Sequence, residues 1–125
     1  MRKMYSPALL DHFEHPRNTG EVASADAVAQ VENPACGDVL KLSMKVDGEQ
    51  IAEIRFLAKG CVPAMACASA LTTLVKGQTL VQARRLRREE IIEAVGGVPA
   101  ASSHAGHLAI ETLQALLSQW ERTSR

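Results

Sequence analysis

Two runs of alternating apolar residues, joined by the dipeptide Asp47-Gly48, constrain the fold of this chain more than any other feature. Residues 39–46 and 51–58 place apolar side chains at close to every second position, which is typical of half-buried strands. An Asp-Gly pair between two such runs favours a tight turn. We therefore predict an antiparallel hairpin, and the rest of the chain has to pack around it.

Helical patterns surround the predicted hairpin. Residues 6–14 predict a short helix that Ser6 caps and Pro7 begins. A longer helix is predicted from Pro63, because apolar residues recur at spacings of three and four until Gly77 ends the pattern. Weaker or shorter patterns predict a strand at 27–32 and helices at 80–86, 89–95 and 104–122. In the last helix, spacings of three and four predict an inward face of Ala109, Leu113, Leu116, Leu117 and Trp120. The sequence thus predicts a small α+β domain, an antiparallel sheet with helices packed against it.

Length and charge narrow the class of protein. A chain of 125 residues fits one domain, residues 1–125. Lys and Arg together number 14, as do Asp and Glu, and aromatic residues make up 3%. A nucleic-acid-binding protein would show a basic excess or stacking side chains, so we expect no nucleic-acid partner. No apolar run is as long as a membrane span, and the first residues lack the apolar region of a signal peptide. We therefore expect a cytoplasmic protein with no membrane partner.

Two cysteines lie at predicted element junctions. Cys36 is in the segment NPACGD, residues 33–38, just before the first hairpin strand. Cys61 lies between the second strand and the following helix, where backbone amides at a helix start stabilise a thiolate. Together with Asp38 and His104, these thiols could supply four metal ligands. The spacing alone does not decide between such a site and two separate, unreactive thiols.

Other polar or reactive residues are predicted to be structural. Cys67 lies in line with Leu71 at a helical spacing of four, so we expect a buried apolar thiol rather than a ligand. The charged segment RRLRREE, residues 84–90, mixes both signs and is expected to be a solvated helix face. We expect His12 to make a structural hydrogen bond and His15 to lie on the surface.

Several segments along the whole chain resemble the motifs of the IscU/NifU family of iron–sulfur scaffolds. The segments are YSPALLDHF at 5–13, PRN at 16–18, NPACGD at 33–38, Phe56 with GC at 60–61, KG at 76–77 and SHA at 103–105 followed by LA at 108–109. They look like the opening signature, the first and second cysteine motifs and the third motif of that family, which is usually His-Cys. On these motifs the chain is identified as a member of the family's N-terminal type.

The resemblance implies a fold and a set of ligands. The fold is a three-stranded antiparallel sheet with helices packed against it, the SufE/NifU fold, with a metal site at one end. Cys36, Asp38, Cys61 and His104 would surround a transient [2Fe–2S] cluster built from iron and sulfide, for which thiolates are the usual ligands. Asp38 would keep the cluster labile, because a carboxylate is a weaker partner for cluster iron than a thiolate. Zinc could occupy the same ligands in a purified sample.

The resemblance also implies partners. Sulfur would arrive as persulfide from a cysteine desulfurase, and the finished cluster would pass to apo-proteins that need it. The protein would then be a carrier rather than an enzyme. Because a cluster can bridge two chains that each supply two thiolates, the loaded protein could be a homodimer.

The sequence departs from the family in its third motif, where Ala105 replaces the cysteine beside His104. Cys36 or Cys61 would therefore have to accept the sulfur. His107, three residues further on, could be a replacement ligand, although an exposed polar position is the simpler expectation. A paralogue that binds partners without metal is a third alternative, which the two retained cysteine motifs make less attractive.

Two further departures concern partners and the alternative function. The family segment Leu-Pro-Pro-Val-Lys, which a dedicated Hsp70 chaperone reads, is VPAAS at 98–102, and this argues against that chaperone as a partner. Only 44 residues separate Cys61 from Ala105, without the insertion typical of SufU-type relatives, which bind zinc and relay sulfur. A zinc-holding sulfur relay that accepts persulfide from a desulfurase is thereby disfavoured, but it stays open as the alternative.

Overall fold

The computed structural model describes residues 5–34 and 37–123. Within these ranges the elements are α1 (Pro7–Glu14), β1 (Ala27–Asn33), β2 (Asp38–Asp47), β3 (Gln50–Lys59), α2 (Val62–Val75), α3 (Leu80–Arg84), α4 (Arg88–Ala94) and α5 (His104–Thr123). A short 3-10 turn, Ala100–Ser102, precedes α5. Every predicted helix and strand is present, and the ends differ from the predicted ends by at most two residues. None of the helices in the described ranges is long and apolar enough to cross a bilayer.

The three strands form one antiparallel sheet in the order β1–β2–β3, so the predicted fold class is confirmed. The predicted hairpin joins β2 to β3, with Asp47 opposite Gln50 across its turn. The register shifts beside Val46, where β3 carries an extra residue. Because of this bulge Ile51 and Ile54 are both fully buried, although their spacing of three breaks the alternation of a regular strand.

Helices cover one face of the sheet. α5 packs against β1 and β2, α2 packs against β3, and α1 lies on α2. The core lies between the sheet and these helices, and its fully buried side chains include Leu40, Leu42, Met44, Leu71, Leu113, Leu116 and Leu117. The predicted inward face of α5 is confirmed, with Trp120 at its outer end only partly buried.

Residues 18–26, which we call the crossing segment, lie on the opposite side of the sheet. Near its start, the Phe56 N–H donates to the carbonyl of Asn18, and the Gly20 N–H donates to the carbonyl of Phe56, both at 2.9 Å. Further along, the Val22 N–H donates to Ser43 Oγ at 2.9 Å. The segment therefore follows the edge of β3 and then crosses to the start of β1. No pattern in the sequence predicted it.

A small polar network fastens the loop after α1 to the middle of α2. His12 Nδ1 lies 2.8 Å from Ser69 Oγ, which also accepts the Arg17 N–H at 2.9 Å. Asn18 Nδ2 donates to Thr72 Oγ1 at 3.1 Å. Ser69 and Thr72 are completely buried, so these bonds satisfy hydroxyls that water does not reach. The hydrogen-bonding role predicted for His12 is confirmed.

Predictions for the surface are confirmed with one correction. The His15 side chain is 74% exposed and lies 3.3 Å from the carboxylate of Asp11. The charged residues of 84–90 are exposed, and Arg84 forms an ion pair with Glu121. The segment is not one helix face, however, because α3 ends at Arg84 and α4 begins at Arg88.

Candidate metal centre

Three elements begin at one end of the sheet. Asp38 is the first residue of β2, Cys61 is the N-cap residue of α2, and His104 is the first residue of α5. Pairing of Val39 with Lys59 places the start of β2 beside the end of β3, just before Cys61. The fold therefore brings together residues that are 23 and 43 positions apart in the chain.

The functional atoms of these residues form a compact triangle. His104 Nε2 lies 3.3 Å from Asp38 Oδ2. Cys61 Sγ lies 3.5 Å from the same oxygen and 3.9 Å from His104 Nε2. Among the described residues, these three form the only group of three or more thiol, carboxylate or imidazole side chains whose ligand atoms all lie within 4.8 Å of one another.

The triangle matches the dimensions of a metal centre. Zinc lies about 2.0–2.3 Å from nitrogen, oxygen and sulfur ligands, so neighbouring ligands of a tetrahedral ion are roughly 3.3–3.8 Å apart. Two of the observed separations, 3.3 and 3.5 Å, fall within this range, and the third, 3.9 Å, lies just above it. Thiolate and imidazole ligands suit zinc and iron, so the donor set fits either metal. Three protein ligands leave one further position of such a centre to be filled.

The site has a buried side and a partly exposed side. The Asp38 side chain is 5% exposed, while His104 is 33% exposed. The Cys61 N–H donates to Asp38 Oδ1 at 3.2 Å, which leaves Oδ2 facing the thiol and the imidazole. Hydrogen bonding of this kind orients a carboxylate toward a metal. The start of α2 adds the partial positive charge that favours a thiolate.

The remaining positions considered for the site are Cys36, His107 and Ala105. Cys36 lies outside the described residues, two positions before Asp38 in the chain. His107 is 63% exposed and lies 3.9 Å from Glu111 on the same helix, away from the triangle formed by the described ligands. Ala105, at the position of the missing cysteine, is 1% exposed.

Cys67 is the buried thiol that the helical spacing predicted. It is completely buried in the middle of α2. Burial raises the pKa of Cys67 to about 12, with a smaller contribution from Cys61. A thiol that stays protonated is neither a nucleophile nor a metal ligand at neutral pH.

Fold and site together define a class: a small α+β domain with a mixed thiol, carboxylate and imidazole centre at one end of a three-stranded sheet. The sequence model of the family described as "NifU-like N terminal domain" matches residues 4–125. The chain belongs to this family, the N-terminal domain family of IscU- and NifU-type proteins.

Individual relatives agree with this assignment. The chain is 38% identical over 119 residues to the iron–sulfur cluster assembly scaffold protein IscU 1 of Archaeoglobus fulgidus, with 95% of this chain and 78% of the relative aligned. It is 39% identical over 118 residues to IscU of Aquifex aeolicus, covering 93% and 75%. It is 44% identical over 112 residues to the nitrogen fixation protein NifU of Cereibacter sphaeroides, covering 90% of this chain but 46% of the relative.

Solved structures show the same fold. The chain matches a SufU-type scaffold protein for the SUF system from Fervidobacterium islandicum with a TM-score of 0.78 and 20% identity, over 93% of this chain and 98% of that one. It matches the N-terminal part of a NifU-like protein from Brucella abortus with the same TM-score and identity, over 96% of each chain. At this level of identity the likeness concerns the fold alone.

Proposed function

We propose that this protein is an iron–sulfur cluster assembly scaffold, which holds iron and sulfide as a transient [2Fe–2S] cluster and passes the cluster to apo-proteins. The observation that carries the proposal is the convergence of Asp38, Cys61 and His104 within 3.9 Å of one another, in a member of the NifU-like family. Cys36 is proposed as the fourth ligand. The cluster is cargo in this scheme, so the protein acts as a carrier, and the cytoplasm is its proposed location.

Each ligand has a proposed part in loading and release. A thiolate at Cys61 or Cys36 attacks the outer sulfur of a desulfurase persulfide, and the desulfurase thiolate leaves. An external electron donor then reduces the transferred sulfur to sulfide, which joins iron held at the site. Asp38 and His104 complete the shell with harder donors than thiolate, so the protein holds the cluster loosely enough to release it.

The test is anaerobic reconstitution with iron, a cysteine desulfurase, cysteine and a thiol reductant as the electron donor. We expect the visible absorption of a [2Fe–2S] centre and protein-bound iron and sulfide in equal amounts. A relative that retains the third cysteine serves as the positive control. A colourless product without bound sulfide, under conditions that load this relative, would contradict the proposal.

Separate substitutions, Cys36→Ser and Cys61→Ser, locate the ligands. Each should lower the bound iron and sulfide strongly, whereas Cys67→Ser should leave both unchanged. The oligomeric state of the loaded protein, measured by light scattering, shows whether one cluster is shared by two chains. Such sharing is expected if four thiolates are needed, since each chain offers two at the site.

A second candidate function, a zinc-holding sulfur relay, is favoured by two observations. The three described ligands match the separations of a single tetrahedral ion, and a methyl group at Ala105 replaces a third thiol. In this case the zinc-loaded protein gains the mass of one sulfur atom on Cys61 or Cys36 after desulfurase treatment, and no cluster forms. If mass spectrometry finds sulfur on neither thiol, the relay is excluded.

A further inference from the structure

We infer that Gly60 positions the Asp38 carboxylate, because the missing side chain at residue 60 leaves the space that this carboxylate fills. The inference rests on the proposed metal-holding function and adds to it a residue that touches no metal. Gly60 is therefore a positioning residue, which acts through Asp38.

The distances from a Cβ atom added to Gly60 define this space. A Cβ atom placed on Gly60 would lie 2.2 Å from Asp38 Oδ1, 2.6 Å from its Cγ and 3.0 Å from its Cβ. Real Cβ atoms do not approach other atoms below about 3.0 Å. Any other residue at position 60 would therefore displace the carboxylate or the backbone beside it.

The sheet register explains why these two residues meet. Val39 of β2 pairs with Lys59 of β3, so the next positions outward along the two strands are Asp38 and Gly60. Side chains at directly opposed positions of an antiparallel pair project from the same face of the sheet, with Cβ atoms about 5 Å apart. At Gly60, where φ is +153°, the position of an added Cβ atom is only 3.0 Å from the Asp38 Cβ.

Other glycines of the chain do not have this relation to a functional side chain. Gly20, Gly48, Gly77 and Gly97 also have positive φ, but a Cβ at any of them meets nothing within 4 Å. Gly96 and Gly106 are crowded by Ser6 and by Ile92, respectively, where helices and loops pack. Among the glycines that the structure describes, Gly60 is the one packed against a candidate ligand.

Displacement of the carboxylate would undo both of its contacts. Oδ1 would lose the Cys61 N–H at 3.2 Å, and Oδ2 would move away from His104 Nε2 at 3.3 Å. Asp38 as a whole is 3% exposed, so little free volume is available for another position near the site. A side chain at residue 60 should therefore resemble the loss of Asp38 itself.

Zinc affinity of the metal-free full chain, measured by competition with a chromophoric chelator, tests this relation. Gly60→Ala should weaken Zn²⁺ binding by about 10- to 100-fold, the range seen when a metal ligand loses its orienting partner. The double variant Gly60→Ala/Asp38→Gly should bind no more weakly than Asp38→Gly alone. Gly20→Ala is the matched control, since it adds a methyl at a positive φ of 107° in open space and should leave Zn²⁺ affinity unchanged.

Two outcomes of this titration would overturn the inference. One is wild-type Zn²⁺ affinity in Gly60→Ala. The other is a further loss of the same factor when Gly60→Ala is added to Asp38→Gly, because the methyl would then act through something other than the carboxylate. If Gly60→Ala does not fold, the double variant removes the clash and keeps only the backbone strain of an alanine at positive φ, which Gly20→Ala also introduces. The double variant should therefore fold if Gly20→Ala folds, and failure to do so also overturns the inference.

A measurement without metal separates this inference from the proposed function. In metal-free protein, the hydrogen bond to Asp38 should shift the amide proton resonance of Cys61 downfield. Gly60→Ala and Asp38→Gly should move this resonance upfield alike, and Gly20→Ala should not move it. If this result is obtained while neither cluster nor zinc binds, the proposed function fails and the positioning role of Gly60 stands. If Gly60→Ala leaves the resonance unmoved, the positioning role is wrong.

Discussion

The start and the middle of α2 carry the same side chain in opposite environments. Cys61 caps the helix, lies partly exposed and faces Asp38 and His104 within 3.9 Å. Cys67, six residues on, is completely buried, and its pKa is raised to about 12. The difference shows that position on the helix decides what a cysteine can do. At the cap, the positive end of the helix dipole and two polar side chains lie beside the thiol, whereas in the middle an apolar environment excludes charge.

The two regions of α2 also differ in their contribution: the middle adds to the stability of the fold, and the start carries a candidate ligand. Residues 66–72 of α2 are all buried, and the network of His12, Ser69 and Thr72 fastens this part of the helix to α1. At the start of the helix, the Cys61 side chain makes no capping bond. We interpret the middle as the anchor that holds the start of the helix, and with it Cys61, in place.

The largest expected effect concerns the reactivity of Cys67. Since its pKa of about 12 is three units above the ordinary value of 9.0, its thiolate fraction is lower by about a thousandfold. Alkylation of Cys67 by iodoacetamide should be slower in native than in denatured protein by at least this factor, as peptide mass spectrometry can measure. Equal rates in the two states would show that the two regions of α2 do not differ as described.

A core substitution in the middle of α2 should come next in size. Leu71→Ala removes a fully buried side chain and should lower the free energy of unfolding by about 2–5 kcal/mol. Denaturant unfolding of metal-free protein measures this loss. Leu57→Ala is the control, because Leu57 is 44% exposed on the sheet and its truncation should cost much less. Similar losses from both variants would contradict the anchoring role of this part of the helix.

The Zn²⁺ affinities of variants that lack one thiol test the difference between Cys61 and Cys67. Cys61→Ala should lower Zn²⁺ affinity by about 100-fold or more, because it removes a ligand rather than an orienting partner. Cys67→Ala should leave the affinity unchanged within about twofold. Chelator competition on the full chain measures both. A comparable loss from Cys67→Ala would mean that the buried thiol contributes to the site.

The smallest expected effect is a pH dependence that originates at His12. Burial, with a further contribution from Arg17, lowers the pKa of His12, while Asp11 acts in the opposite direction. The unfolded chain therefore binds a proton more readily than the folded chain, and stability falls as the pH drops below about 6.5. His12→Asn retains a polar partner for Ser69 and should reduce this slope in thermal unfolding between mildly acidic and neutral pH. An unchanged slope would assign the dependence to other groups.

Much of the fold could be predicted from local patterns. The hairpin followed from alternation around Asp47-Gly48, and the inward face of α5 followed from spacings of three and four. The bulge at Val46 could not be predicted. The spacing of three between Ile51 and Ile54 breaks the alternation, but it does not show where the strand register shifts. The crossing segment was missed entirely. Its hydrogen bonds go to the backbone of Phe56 and the hydroxyl of Ser43, so they depend on pairing across the fold and leave no periodic signal.

The sequence predicted candidate members of the site but not their geometry. Spacing offered no local metal motif, and the ligand set followed from resemblance to a family. The structure brings Asp38, Cys61 and His104 together, whereas Cys36 stays a prediction. The close approach of Gly60 to Asp38 depends on strand register, which the letters GC alone do not reveal.

The three candidate ligands lie at the starts of β2, α2 and α5, so no single segment of the chain contains all of them. During synthesis, a nascent chain can form the centre only after the C-terminal helix has left the ribosome and docked on the sheet. An ion bound there would thus cross-link β2, α2 and α5. Because the unfolded chain lacks this arrangement, Zn²⁺ binding should raise the melting temperature.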